Sequence, residues 1–503
     1  MKDFAGKIAV ITGGGTGMGR ELARQLVAEG CNVAMCDVSA AAMAETKRLC
    51  EVEKLPQGLR ITTHIADVSI EDQLLRFRDE LAEQQGTDRI HLLFNNAGIG
   101  GGGSLFTNTR EQWEKTFNIC WGGVYLGVRT FLPLLLKADE GHIVNTSSVN
   151  GFWASVGPGV SHTAYSAAKF AVKGFTEALI NDLRLNAPHI KCSVVMPGHI
   201  GTSIVSNSRK IQSGSESERL SETEIAVTRQ RLNGIGIDTA PMSDEDIQQI
   251  AADRARTFRD ELTEQQATDK IHLLFNNAGI GGGGSLFTNT REQWEKTFNI
   301  CWGGVYLGVR TFLPMLVKAD EAHIVNTSSV NGFWASVGIG VSHTAYSAAK
   351  FAVKGFTEAL INDLRLNAPH VKCSVVMPGH IGTSIVSNSR KIQSGSDSDR
   401  LSENEVLTTR QRLKGMGIDT APMSDEDIQK IALDRARTFR DEAPTTAATA
   451  ARTILDGVKA DRWRILVGDD AHRLDERVRQ APERAYEPEF YQSFAAEVGW
   501  RLG

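Results

Sequence analysis

Several familiar features are missing from this 503-residue chain. Seven cysteines (Cys31, Cys36, Cys50, Cys120, Cys192, Cys301 and Cys373) form no CxxC pair and are odd in number, which reads as reduced thiols in a cytoplasmic protein. No run of about 18 apolar residues is present to span a bilayer. The apolar run Lys7 to Thr12 is too short for a signal core, so neither a leader nor a membrane anchor is expected. No basic block exists. With 55 Lys and Arg against 60 Asp and Glu, the net charge is −5, and nucleic acid is not the implied partner. No His or Cys cluster has metal-ligand spacing, so no metal site is expected.

What is present is ordinary in kind: 41% hydrophobic and 23% charged residues, which excludes disordered, collagen-like and disulfide-scaffold chains. At about 150 residues per domain, the length fits three ordinary domains or two large ones. The unusual feature is a repeat. Phe77 to Thr257 recurs as Phe258 to Thr438, with about 18 positions changed, one long unit written twice rather than a solenoid. A head, Met1 to Arg76, and a tail, Phe439 to Gly503, each occur once. The expected division is a first domain of residues 1–257, head plus first core, and a second of 258–503, second core plus tail. Helical spacing of Ile247, Ile250, Ala251, Phe258 and Leu262 across the seam, with no Gly or Pro, predicts a continuous helix joining the copies.

Short apolar strands are expected at 7–12, 32–36, 60–65, 90–94, 142–146 and 190–196, with a last one at 463–467 in the tail. Helical faces fall between them at 20–28, 71–84 and 164–184. Strands alternating with helices predict a parallel sheet covered on both faces.

Chemistry begins at Thr12-Gly13-Gly14-Gly15-Thr16-Gly17-Met18-Gly19, after a strand and opening a helix. Glycines there let the backbone approach a pyrophosphate, whose charge sits against a helix N-terminus. Asp37 ends the second strand, near the separation expected of an acid that bonds adenosine ribose hydroxyls. A carboxylate there repels a 2′-phosphate, and Val38 offers no compensating cation, which favours NAD(H) over NADP(H). The bland alternative is a solvated turn acid beside a structural glycine loop.

Further along come Asn95-Asn96-Ala97-Gly98, then Ser147-Ser148, then Tyr165 and Lys169, four apart and so on one helical face. Pro197-Gly198 and Thr202 follow. TGxxxGxG, NNAG, SSxxG, YxxxK and the Pro-Gly motif, in this order, resemble the short-chain dehydrogenase/reductase family, over the head, both cores and, more weakly, the tail strand. The resemblance implies a doubly wound α/β Rossmann fold followed by a partial core lacking its own first three strands. It also implies an NAD-dependent oxidoreductase interconverting a secondary alcohol and a ketone, with a small-molecule substrate.

Carried over by position, the catalytic set becomes Asn118, Ser148, Tyr165 and Lys169. The cofactor set becomes Gly13, Thr16, Gly17, Met18, Gly19, Asp37, Asp67, Val68, Asn95, Ala97, Gly98, Tyr165, Lys169, Pro197, Gly198, Ile200 and Thr202. A free phenol ionises near pH 10, so ionising one at pH 7 costs about 4 kcal/mol, which a neighbouring ammonium offsets in part. Ser148 precedes Tyr165 by about four positions more than the commonest family spacing, so the loop from Gly151 to Thr163 is enlarged. That leaves open whether Ser147 or Ser148 points inward; Ser148 is favoured because Gly151 follows it in the usual pattern. The loop contributes Phe152, Trp153, Val156 and His162, which points to an apolar substrate pocket, with ordinary core packing the alternative for Trp153. His199 is a weaker donor candidate against a loop histidine facing water. Residues 206–224 fall where the family places a mobile lid, or form a solvated loop.

The second core repeats the catalytic set as Asn299, Ser329, Tyr346 and Lys350, with Thr383 as its late threonine. It has no second glycine motif and no second ribose acid, so one NAD per chain is expected. Two cores compete for one head and one tail. Short local connections favour pairing the head with the first core, leaving the second core and tail as a half-sheet. The long helices of the two copies are expected to pack as an intramolecular pseudo-dimer, or through them to form a homo-oligomer. A non-catalytic nucleotide-binding scaffold, or a misassembled duplication product, is the alternative function.

Overall fold

A computed structural model of the chain describes residues 1–52, 58–100, 103–154, 161–198, 211, 268–282, 284–335, 342–396, 398, 400–415 and 418–500. The seam helix expected around residues 247–262, the lid segment apart from Ile211, Val156, His199, Ile200 and Thr202 lie outside the described residues.

The head and first core alternate as expected: β1 (Ile8–Thr12), α1 (Gly17–Ala28), β2 (Asn32–Asp37), α2 (Ala40–Val52), β3 (Ile61–Ile65), α3 (Glu71–Gln85) and β4 (Leu92–Asn95). They continue through α4 (Arg110–Phe117), α5 (Gly123–Leu135), β5 (Gly141–Thr146), α6 (Thr163–Asn186) and β6 (Ile190–Val195). Helix α2 carries no glycine or proline and was not anticipated. The sheet is parallel, in the order β3-β2-β1-β4-β5-β6. The order reverses between β1 and β4, and ligands of such sheets bind at that switch point.

The second core supplies β7 (Leu273–Asn276), α7 (Arg291–Phe298), α8 (Gly304–Val317), β8 (Ala322–Thr327), α9 (Thr344–Asn367), β9 (Val371–Pro378), β10 (Ile381–Gly382), α10 (Ile385–Ser394), α11 (Glu403–Gly415) and α12 (Asp425–Asp441). The tail adds β11 (Thr445–Thr446), α13 (Ala447–Lys459), β12 (Arg464–Val467), α14 (Asp469–Gln480) and α15 (Pro488–Val498). Four of these strands form a second parallel sheet, β12-β9-β8-β7, and β10 pairs separately with β11. The head therefore completes the first core and the tail the second.

Differences between copies are matched locally. Gly141 faces Ile190 across the first sheet, where a Cβ would lie 3.2 Å from the Ile190 side chain. In the second sheet the facing pair is Ala322 and Val371. The methyl group gained on one strand is lost from the other, which keeps the core volume.

Helices α6 and α9 pack side by side with reciprocal contacts. A Cβ on Gly174 would lie 2.5 Å from the Phe351 ring, and one on Gly355 would lie 2.4 Å from Phe170. Only glycine allows this approach. Alongside, the Trp113 and Tyr306 rings stack at 4.3 Å, as do Tyr125 and Trp294. Tyr125 donates to Glu295 at 3.2 Å and Tyr306 to Glu114 at 3.3 Å. The stretch Arg291–Val317 is long and apolar enough to cross a bilayer, yet Trp294, Trp302, Tyr306 and Phe312 are spent on this buried core.

Candidate active site

The glycine loop is held open by close packing. Gly13 and Gly17 have φ of +70° and +56°, in the left-handed region. A Cβ on Gly13 would meet Ala97 Cα at 2.9 Å, and one on Gly19 would lie 2.0 Å from the Gly13 carbonyl. Side chains are thus excluded from the concavity at the N-terminus of α1, where unpaired N–H groups favour an anion. Thr16 occupies the N-cap position and Met18 lies in the first turn.

Asp37 at the end of β2 accepts from Gly15 N at 3.0 Å with one oxygen and from Ser39 N at 3.1 Å with the other. Exposed Val38 follows it. Two residues that sequence reasoning missed brace the loop. Arg20 donates to the Gly15 carbonyl at 2.7 Å and to Thr46 on α2 at 3.0 Å. Asn96 donates from its backbone to the Thr12 hydroxyl at 3.0 Å and from its side chain to the Thr12 carbonyl at 3.2 Å. The second half of the NNAG motif thereby fastens β4 to the glycine loop. Ala97 N also donates to Thr12 Oγ1, at 3.1 Å.

The first asparagine of that motif is built into the sheet. Asn95, expected beside the cofactor, is buried and donates to Asn145 at 2.8 Å, which in turn donates to Thr176 at 3.0 Å. Its side chain ties β4 to β5 and α6 inside the sheet. Asp67 caps its own turn through Ser69 N at 2.9 Å and the Ser69 hydroxyl at 2.7 Å, with buried Val68 against Gly123.

Tyr165 and Lys169 share one face of α6. The Lys169 ammonium lies 5.5 Å from the Tyr165 ring centroid and donates to the Thr146 carbonyl at 2.9 Å. Lys169 is buried, so its stem is fixed and its amine stays beside the phenol. Gly98 passes the same amine, with room for a Cβ only 3.5 Å from it. The Ser147 hydroxyl donates to the Lys169 carbonyl at 2.6 Å, while among the described residues Ser148 Oγ accepts from Asn150 N at 3.2 Å and donates to none. The Ser147 hydroxyl is thus committed to the backbone of α6. Asn118 is exposed at the start of a π-helical turn, Asn118–Gly122, between α4 and α5; such turns collect at functional sites. Pro197 accepts from Val149 N at 3.0 Å, and Gly198 follows it.

The second core reproduces these side chains. Lys350 donates to the Thr327 carbonyl at 2.9 Å and lies 5.5 Å from the Tyr346 ring. Ser328 is locked to the Lys350 carbonyl at 2.6 Å and Ser329 caps Asn331 at 3.2 Å. Asn299 opens the equivalent π-turn, and Thr383 follows β10. Burial pushes the Tyr346 phenol above its ordinary pKa, against the pull of Lys350 and of a hydrogen bond with Ser329. Among the described residues no glycine loop stands beside β7. Its residues Leu273 and Phe275 are 43% and 42% exposed, whereas Leu92 and Phe94 of the same sequence are 3% and 9% exposed where β4 pairs with β1.

The enlarged loop differs between the two copies. Trp334 is fully buried against the tail, its indole N–H donating to Ala485 at 2.7 Å, with Phe490, Tyr491 and Phe494 around it. Its first-copy counterpart Trp153 and the neighbouring Phe152 are 58% and 51% exposed. In the second copy this loop is a tail anchor rather than a pocket wall. His380, the counterpart of His199, is likewise structural: its ring bonds the Phe439 carbonyl at 2.7 Å and its backbone N–H donates to Asp470 at 2.7 Å. His162 precedes α6, and burial holds its imidazole below the ordinary pKa.

The short chain dehydrogenase family model matches residues 7–213 and 235–394. SadH of Mycobacterium tuberculosis is 36% identical over 207 residues, 41% of this chain and 71% of that protein. Levodione reductase of Leifsonia aquatica is 34% identical over 208 residues, 41% of this chain and 74% of that protein. A short-chain dehydrogenase/reductase from Burkholderia phymatum, solved in complex with NAD, is 31% identical, covers 50% of this chain and 86% of its own, and has a TM-score of 0.39.

Proposed function

The chain belongs to the short-chain dehydrogenase family, and from that premise we propose that it is an NAD(H)-dependent oxidoreductase whose first unit interconverts a secondary alcohol and a ketone. The observation that carries this reading is the pairing of Lys169 and Tyr165 on α6, with Lys169 held by Thr146 at the end of the strand that leads into Ser148, in the unit that also has the glycine concavity and Asp37.

A dinucleotide fits that unit because the concavity is one that a Cβ would fill. Gly13 to Gly19 and the α1 N-terminus would hold the pyrophosphate, Asp37 the adenosine ribose, Asp67 and Val68 the adenine side, and Ala97 to Gly98 with Lys169 the nicotinamide side. When bound, the cofactor accepts or supplies a hydride. Ser148 donates a hydrogen bond to the substrate oxygen. Tyr165 takes the hydroxyl proton during oxidation and returns it during reduction. Lys169, held by Thr146, places its amine beside the phenol, where it can hydrogen-bond and orient the reacting groups. Asn118 provides a polar group toward which protons can pass to solvent. Asp37 favours NAD(H), since a 2′-phosphate would meet its carboxylate.

The second core serves as the packing partner of the first, an internal pair in place of two subunits, and the buried thiols suit the reducing cytoplasm. Calorimetry of NAD⁺ with the full chain tests the reading without a known substrate. A stoichiometry of one, lost in Gly19→Val, is expected; no binding would overturn it.

A further inference from the structure

The segment Lys-Cys-Ser-Val-Val-Met-Pro occurs twice, at 191–197 and 372–378, with opposite fates. In the second unit it forms β9, flanked by the tail strand with Arg464 opposite Val375 and Ile465 opposite Val376. Ser374 donates to the Arg462 carbonyl at 2.7 Å, and Val375 N to the Trp463 carbonyl at 2.8 Å. Val375, Val376 and Met377 are fully buried. In the first unit the same residues form the free edge of the sheet, beyond which no described strand lies. Val195 and Met196 face solvent there, next to exposed Phe152 and Trp153. The local details agree: His142 bonds Ser193 at 2.8 Å, as His323 bonds Ser374 at 2.7 Å, so each serine hydroxyl is presented in the same way.

We propose that this face of the first unit is a docking site for a second C-terminal segment of the kind this chain carries once, delivered by another polypeptide. The occupant is defined by the sister unit. It has an extended strand that adds to the β6 edge, with Ile465 opposite Val195. It then has two helices, and Phe490, Tyr491 and Phe494 on the second of them, with Tyr486 just before it, close over Trp153. An open strand edge supplies main-chain hydrogen bonds, and pockets for side chains supply selection. One chain has two such receptors, in Trp153 and Trp334, but a single tail, and the tail already sits on Trp334.

The test is calorimetric titration of the full-length chain with a synthetic fragment of residues 443–500. Saturable binding of one fragment per chain, with Kd of about 100 μM or tighter, is expected. Trp153→Ala should weaken it at least tenfold, and Val195→Lys should do so independently, each with an unchanged circular dichroism spectrum. Absence of saturable binding overturns the proposal. So does binding that survives both substitutions, because the fragment would then have exchanged with the resident tail on the second unit or bound elsewhere.

Discussion

The Ser104 hydroxyl donates a 2.7 Å hydrogen bond to Asp363, 259 positions along the chain, and Ser285 donates an equal bond to Asp182. Backbone amides join both, Leu105 N to Asp363 and Leu286 N to Asp182, each at 2.7 Å. Each carboxylate thus ends one long helix in a loop of the opposite copy. Replacing Asp363 with Ala leaves a buried hydroxyl and amide without an acceptor, an expected loss of about 1–3 kcal/mol. Chemical denaturation of the variant measures it, and an effect within experimental error would remove this lock from the fold.

The same site predicts a pH dependence. Burial pushes the Asp182 carboxyl up from its ordinary value to about 6, although Leu286 N, Ser285, Ser342 and Asn186 hydrogen-bond to it. A folded pKa above the unfolded one means that the folded chain holds the proton more tightly. The stability gained is complete below the unfolded pKa of about 3.9 and is lost as pH rises through about 6. The difference in stability between the parent chain and Asp182→Asn should therefore change between about pH 4 and pH 6, moving against the parent as pH rises. A flat difference across that window refutes the assignment.

The two tyrosines should be unequal in catalysis. Tyr165→Phe removes the proton carrier from the unit with the glycine loop, and turnover should fall by about 10²–10⁴-fold. Tyr346→Phe should leave turnover within about twofold. Steady-state rates on a common alcohol substrate compare them. Loss of activity in the Tyr346 variant alone would transfer the reaction to the second core.

The duplicated tryptophans should be unequal in stability. Trp334→Ala opens a cavity among Phe490, Tyr491 and Phe494, at a cost of about 3–5 kcal/mol. Trp153→Ala trims an exposed ring and should change stability by about 0.5 kcal/mol or less. Limited proteolysis of the tail, read alongside thermal unfolding, separates the two. Equal sensitivity would mean that the first unit also buries its tryptophan.

Much of this molecule was written in local pattern. Apolar strands spaced by amphipathic helices dictated the parallel sheet. Glycines after β1, an acid after β2, and a Tyr and Lys one helical turn apart marked the site, because those residue types are needed wherever the backbone must bend, bind an anion or hold a proton. The packing roles were not legible. Asn95 turned inward to Asn145, Arg20 braced Gly15, and Ser147 was consumed by the Lys169 carbonyl. Each depends on a partner distant in sequence.

The sequence by itself determined the repeat, the order of elements and the chemistry available to each core. Only the tertiary structure decided what each copy became. Leu-Leu-Phe-Asn is buried at 92–95 and open at 273–276, and Val-Val-Met is open at 194–196 and buried at 375–377. The segments are identical, so no local propensity distinguishes them. Burial is set by the neighbour that a strand finds, and with one head and one tail for two cores, each core found only one.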